Sequence, residues 1–231
     1  MFGFGSKKKE VVLDRPGSLH LHVTDYDKYS ITDLVVRGDL NGDDLALLRE
    51  MAGYRGTGGK SLGSLSRLDL KNARFVPGGK AYARSPRGEC FIEEEGNIPV
   101  RAFRKCEKLK VVVLPEGIKT VGAHAFERCT ALSSITMQEG LQTIGVRAFR
   151  KCYSLKVLNF PPTVTLIDNE AFSEDEKIKK IYMMPFNPPT AYVNSFYGVD
   201  TAEVKLFIPE STLESYKKNM SWKKFRKIKE E

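Results

Sequence analysis

One self-similarity limits what this chain can fold into more than any other feature. Ala102-Phe103-Arg104-Lys105-Cys106, Ala125-Phe126-Glu127-Arg128-Cys129 and Ala148-Phe149-Arg150-Lys151-Cys152 recur every 23 residues, and Ala171-Phe172 continues the series with Asp175 at the Cys place. A fixed period of that length marks a stacked-coil protein, because each unit is too small to bury its own apolar side. The remaining columns keep the spacing: Leu109, Leu132, Leu155 and Ile178; Val112, Ile135, Leu158 and Ile181; Leu114, Met137, Phe160 and Met183; and, after a turn, Val121, Ile144 and Ile167. Gly122 and Gly145 follow two members of the last column, where the coil is expected to turn.

The alternation around Val112 and Leu114 has the period of two of a half-buried strand. Equivalent strands should stack as a parallel sheet and bury a continuous apolar ladder. A helical repeat would need apolar spacings of three and four, which Pro115, Gly117, Pro161 and Pro162 interrupt. The expected fold is therefore an α/β solenoid, a parallel sheet of stacked short strands with about four regular 23-residue repeats, capped at both ends.

The unit Ala-Phe-x-x-Cys-x-x-Leu-x-x-Ile-x-Leu-Pro, plainest from Ala102 to Pro115, resembles the BspA-like leucine-rich repeat. Leu65 to Ala73 resembles a diverged first repeat, and Ile98 to Phe103 the approach to the regular array. The resemblance extends over about residues 19 to 229. It implies a leucine-rich-repeat solenoid in a surface or secreted protein of anaerobic gut and oral bacteria, which binds a host or bacterial macromolecule and is not an enzyme.

The organisation expected is one structural domain. Residues 11–60 form an N-terminal strand-helix cap and linker, 61–191 the repeats with 98–191 as the regular array, and 192–231 a C-terminal strand-helix cap. At the first end Ile31 to Leu40 reads as a strand and Asp43 to Met51 as a helix buried along Leu45, Leu48 and Met51. Gly53 to Gly63, with five glycines in eleven residues, reads as a linker. At the other end Val204 to Pro209 reads as a strand, and Ser211-Thr212-Leu213-Glu214 as a capping box opening a helix with Tyr216, Trp222, Phe225 and Ile228 on its apolar side.

Charge patterning adds a second candidate surface. The formal charge is +8. Much of it lies in the tails: residues 217 to 231 hold seven Lys or Arg against Glu230 and Glu231, a balance of +5. Between Ile98 and Lys156 eleven Lys or Arg face four Glu, a surplus of +7. Lys105, Arg128 and Lys151 share one repeat position, Arg101 and Arg147 another, and Arg104 and Arg150 a third, so stacking should align them as a basic stripe able to meet a polyanion, an acidic protein or an anionic membrane surface. The plainer alternative is a solvated face.

Motifs for chemistry are weak. Gly58-Gly59-Lys60-Ser61 imitates the end of a phosphate loop, but Tyr54 stands where its first Gly belongs. Asp39 to Glu50 imitates a calcium loop with Asp44 where Gly is required, and helix capping by Asn41 or Asp43 explains it better. His20 and His22 would share one strand face with no further ligand in view. Cys106, Cys129 and Cys152 should stack as buried free thiols with Cys90 apart, since side chains pointing in parallel miss the disulfide dihedral. No nucleophile-base pair, carboxylate dyad or cofactor motif is visible, so no cofactor or metal is expected.

No apolar run approaches the roughly 20 residues of a membrane helix, and the basic N-terminus has no apolar region of a signal peptide behind it. A secreted or surface protein therefore requires a leader already removed, the alternative being a cytoplasmic chain; a monomer is expected. The strand residues that packing does not explain are Val111 and Val113, Ser134 and Thr136, Val157 and Asn159, and Lys180 and Tyr182. A flat outward face of this kind suits a protein or other macromolecule better than an enclosed small ligand. The basic stripe offers the alternative, an anionic glycan or nucleic acid.

Overall fold

A computed structural model describes residues 7–54 and 63–231. The phosphate-loop look-alike at Gly58 to Ser61 and most of the glycine-rich linker lie outside the described residues. The chain opens with β1 (Lys8–Val12), α1 (Leu19–His22), α2 (Asp25–Ser30), β2 (Asp33–Leu40) and α3 (Gly42–Met51). It continues through β3 (Arg67–Asp69), β4 (Ala73–Phe75) and a hairpin of β5 (Ala83–Ser85) and β6 (Gly88–Cys90). The array then alternates β7 (Val111–Val113), β8 (Thr120–Val121), β9 (Ser134–Thr136), β10 (Thr143–Ile144), β11 (Val157–Phe160), β12 (Leu166–Ile167), β13 (Lys180–Met183) and β14 (Thr190–Ala191). It ends with β15 (Lys205–Ile208), α4 (Leu213–Lys218) and β16 (Lys227–Glu230).

Two strands per coil build two parallel ladders. One runs β1-β2-β3-β7-β9 and, after an interruption between β9 and β11, β11-β13-β15-β16; the other runs β14-β12-β10-β8. Among the described strands only the β5–β6 hairpin is antiparallel. The register is that of the repeat: Val112 lies opposite Ile135, and Leu158 opposite Ile181. Leu109, Leu132, Leu155 and Ile178 are buried as one internal column.

The third side of each coil carries the Ala-Phe segment. Its backbone donates to the next coil, as in Phe103 N to Ala125 O at 2.7 Å and Phe126 N to Ala148 O at 2.7 Å. Each Phe then lies over its neighbour, with ring centroids at 5.3 Å for Phe103–Phe126, 5.2 Å for Phe126–Phe149 and for Phe149–Phe172, and 5.5 Å for Phe172–Phe196. Two residues four apart in each such segment, Arg101 and Lys105, His124 and Arg128, Arg147 and Lys151, and Glu170 and Glu174, have positive φ. Gly122 and Gly145 do not, although each opens a turn of its coil as expected, its carbonyl accepting from Ala125 N and from Ala148 N, respectively, at 3.1 Å. A Cβ on Gly122 would sit 2.6 Å from Ile98 O and one on Gly145 2.8 Å from Val121 O, so the preceding coil is what excludes a side chain.

The cysteine column follows the Phe column. Cys106, Cys129 and Cys152 are fully buried free thiols, and Cys90 is a half-buried one. Cys129 Sγ donates to Phe103 O at 3.0 Å and Cys152 Sγ to Phe126 O at 3.2 Å, each reaching back one coil. Asp175 takes the fourth place and is fully buried. Its Oδ1 accepts the Cys152 amide at 2.6 Å, while Oδ2 has no hydrogen-bond partner among the described residues. Burial pushes its carboxyl well above the usual carboxylate range. A raised folded pKa contributes stability below the ordinary value of 3.8 that is lost as pH rises. Replacing Asp175 with Cys, which leaves the Cys152 amide bonded to Phe149 O, is expected to raise stability at neutral pH by about 1–3 kcal/mol, the cost of an unmet buried polar group. Denaturant melts should show that advantage shrinking toward pH 4; an advantage independent of pH would contradict this role for the carboxyl.

The ends depart from the sequence expectation in detail. Asn41 Oδ1 accepts from the amides of Asp43 and Asp44, and Asp44 in turn accepts from the amides of Asn41, Gly17 and Leu19. The calcium-loop look-alike is thus engaged as a helix cap, with Asp39 held by Arg74. His20 and His22 lie on the one-turn helix α1, not on a strand face. Arg49 on α3 is buried and donates to Arg101 O and Ala102 O, both at 2.7 Å, joining the N-terminal segment to the first regular coil.

At the C-terminal end the Ser211–Glu214 capping box is not formed: Thr212 makes no side-chain cap bond and Ser211 has positive φ. Glu230 Oε1 instead accepts the amides of Thr212 and Leu213, both at 3.0 Å. The helix stops at Lys218, and Ile228 lies on the added strand β16. Trp222 packs edge-on against Phe196 and donates from Nε1 to Pro189 O at 2.7 Å.

Candidate interaction surface

The side chains of the first ladder alternate in and out. Along β7, β9, β11 and β13 the inward Val112, Ile135, Leu158 and Ile181 are buried, whereas Ser134, Thr136, Val157, Asn159 and Lys180 are exposed and Val111, Val113 and Tyr182 half-buried. All eight residues expected to face outward therefore lie on one face of neighbouring strands. Val111 is opposite Ser134 and Val113 opposite Thr136; Val157 is opposite Lys180 and Asn159 opposite Tyr182. Parallel strands about 4.7–4.9 Å apart give this face two straight columns along the solenoid axis.

Both columns continue where the sequence reading stopped. Upstream they include Lys8, Asp33 and Arg67 in one and Glu10, Val35 and Asp69 in the other. Downstream they take in Lys205 and Lys227, and Phe207 and Lys229. Tyr182 and Phe207 stack with centroids 4.5 Å apart and planes 9° from parallel.

The basic stripe sits on the Ala-Phe side of the coils, and there the structure adds acids. Glu127 falls in the column of Arg104 and Arg150, Glu170 in that of Arg101 and Arg147, and Glu174 in that of Lys105, Arg128 and Lys151. Arg104 Nε donates to Glu127 Oε2 at 2.5 Å, and Arg147 Nη2 to Glu170 Oε1 at 2.7 Å. Arg150 contacts Glu174 at 2.5 Å and Glu170 at 3.4 Å, and Lys151 lies 3.2 Å from Glu174. Arg101, Lys105 and Arg128 have no carboxylate at ion-pair distance among the described residues. The stripe is thus aligned as expected but internally compensated over four of its seven members. The repeat register carried this signal, since Glu127, Glu170 and Glu174 stand at the stripe's own positions.

Glu127 is the hub. It is buried, and besides Arg104 it has His124 Nδ1 at 3.0 Å and Arg150 at 3.8 Å. Burial alone would raise its carboxyl, but the hydrogen bonds of His124 and Arg104 outweigh that and hold it at about 2. In this network Oε2 of Glu127 meets both Arg104 and His124, while Oε1 faces Arg150 at 3.8 Å.

One further concavity, of about 400 Å³, lies between the β5–β6 hairpin and the start of the array, lined by Tyr82, Cys90, Phe91, Ile92, Ile98 and Val100, with Glu89, Glu93 and Glu94 at its rim. Among the described residues no group of three or more His, Cys, Asp or Glu side chains is arranged to hold a metal ion. No described helix is long and apolar enough to cross a membrane.

Comparison with known proteins places this architecture. The sequence model for the BspA type leucine rich repeat region matches residues 96–220 in 6 copies, more than half of the chain. The leucine rich repeat protein of T. pallidum is 30% identical, covers 48% of this chain and 50% of its own, and superposes with a TM-score of 0.41. A leucine rich cell surface protein from Faecalibacterium prausnitzii is 16% identical over 87% of this chain and 52% of its own, TM-score 0.39. The pneumococcal vaccine antigen PcpA is 17% identical over 96% of this chain and 68% of its own, TM-score 0.38. The chain spans about half the length of the first two of these structures. No match was found among curated proteins.

Proposed function

The chain belongs to the BspA-type leucine-rich-repeat family, and from that we propose that it acts by binding and not by catalysis, recognising a protein or other macromolecule at a bacterial cell surface through its outward strand face. The observation that carries this reading is the contrast within each strand. Inward residues are uniformly apolar and buried, while their outward neighbours are chemically mixed and exposed or half-buried. A rigid, nearly flat sheet face can meet a large partner without reorganising, which keeps the ordering cost of binding low.

The surface location is inferred from the family alone. The basic stripe is the weaker candidate, because Glu127, Glu170 and Glu174 already occupy much of its charge.

The test uses labelled protein titrated onto host epithelial cells and onto bacterial cells. Ser134→Glu with Thr136→Glu, both exposed on β9, should leave the melting temperature within the small range of surface changes. Cell binding should fall by about tenfold or more, because an unpaired charge is then forced into the interface. Unchanged binding by this variant would refute the assignment of the outward face.

A further inference from the structure

The outward face changes character along the solenoid. In its first strands opposite charges alternate: Arg67 lies 4.0 Å from Asp33, and Arg37 holds Glu10 at 2.7 Å. The middle strands carry the neutral Val111, Ser134 and Val157. In the last three strands the same column reads Lys180, Lys205, Lys227 without interruption, and the parallel column Tyr182, Phe207, Lys229. Lys205 and Lys227 are exposed like Lys180, and Phe207 is half-buried like Tyr182. Lys227 pairs with Glu203 at 2.5 Å and Lys229 approaches Glu231 at 3.8 Å. Lys180 and Lys205 have no ion pair among the described residues.

Like charges directly opposite one another on adjacent strands are destabilising. Stability does not explain such a column in a face whose other end alternates its signs. We propose that this end of the outward face binds a linear acidic polysaccharide, its carboxylates along Lys180, Lys205 and Lys227 and its sugar rings against the Tyr182–Phe207 stack. This rests on the outward strand face being the binding surface.

Spacing and ring geometry select the polymer. The lysine column steps by the inter-strand distance, about 4.7–4.9 Å. A sugar chain with one carboxylate per ring carries a charge on every residue at a rise close to that step, and rotation about its linkages sets the side each charge faces. An extended acidic peptide repeats a carboxylate on one side only every second residue, roughly 6.6–6.8 Å, and falls out of register within the column. Single-stranded nucleic acid binds by stacking bases on open ring faces. Here one face of Tyr182 and one of Phe207 are taken up by each other, and the edges of the stacked rings are the positive end of the quadrupole.

The full chain titrated calorimetrically with polygalacturonate, dextran, oligothymidylate and polyglutamate tests this. Polygalacturonate is expected to bind, more weakly as salt rises, and dextran not to. Lys180→Ser with Lys205→Ser should weaken polygalacturonate by about tenfold, the worth of two exposed ion pairs, and Phe207→Leu should weaken it at an unchanged melting temperature. Absence of binding, indifference to the lysine variant, or preference for oligothymidylate or polyglutamate would overturn the assignment. Cell binding separates the two levels. If Ser134→Glu with Thr136→Glu abolishes it while the polysaccharide fails, only the polymer is wrong; if that variant is also silent, the strand-face reading falls too.

Discussion

Phe149→Ala is expected to lose about 3–5 kcal/mol of unfolding free energy, the cost of a fully buried aromatic truncation that leaves a cavity. Phe149 is fully enclosed and stacked on both sides, with centroids 5.2 Å from Phe126 and 5.2 Å from Phe172. A solenoid coil contacts chiefly its two neighbours, so one missing ring weakens both interfaces of its coil. Denaturant unfolding should show a lower midpoint and, where coupling between the halves is sufficiently reduced, two separated transitions. A loss below about 1 kcal/mol would mean that the Phe ladder does not hold the coils together.

Glu127→Gln is expected to cost about 1.5–3 kcal/mol at neutral pH, the range for hydrogen bonds to a charged group, because Arg104 and Arg150 remain about a quarter exposed and water offsets part of the loss. The pH dependence gives the sharper signature. The Glu127 carboxyl is held at about 2 in the folded chain against an ordinary 4.5. A depressed folded pKa contributes stability that is present above 4.5 and lost as pH falls through about 2. The difference between the native chain and Glu127→Gln, followed by denaturant melts, should therefore be constant from pH 7 to about 5 and shrink across that window. A difference that does not move with pH would show that Glu127 contributes shape and not charge.

The regular array was legible because each buried column repeats at 23 residues, so four noisy coils read together give one clear pattern. The eight outward residues followed from strand alternation alone. The basic stripe was read for its sign and not for its complement, although Glu127, Glu170 and Glu174 stand in the same register. What stayed hidden depends on contacts that no period records. Glu230 caps a helix at Thr212 from the far side of a turn, and Arg49 looks like a surface residue until the carbonyls of Arg101 and Ala102 receive it. The lysine column escaped because the steps from Lys180 to Lys205 and from Lys205 to Lys227 are 25 and 22 residues, so no fixed period aligns them. The β5–β6 hairpin has no partner repeat to reveal it.

Two surfaces of the solenoid compete for the role of binding site, and charge reversal separates them. Arg101, Lys105 and Arg128 can all be changed to Glu without backbone strain beyond that already present, since Glu170 and Glu174 hold the same positive-φ positions in the fourth coil. Binding to cells should survive this triple change nearly intact and be lost with Ser134→Glu plus Thr136→Glu at an equal melting temperature. The reverse outcome, in which the triple change abolishes binding and the β9 pair is silent, would place the site on the basic stripe and contradict the role assigned to the outward strand face.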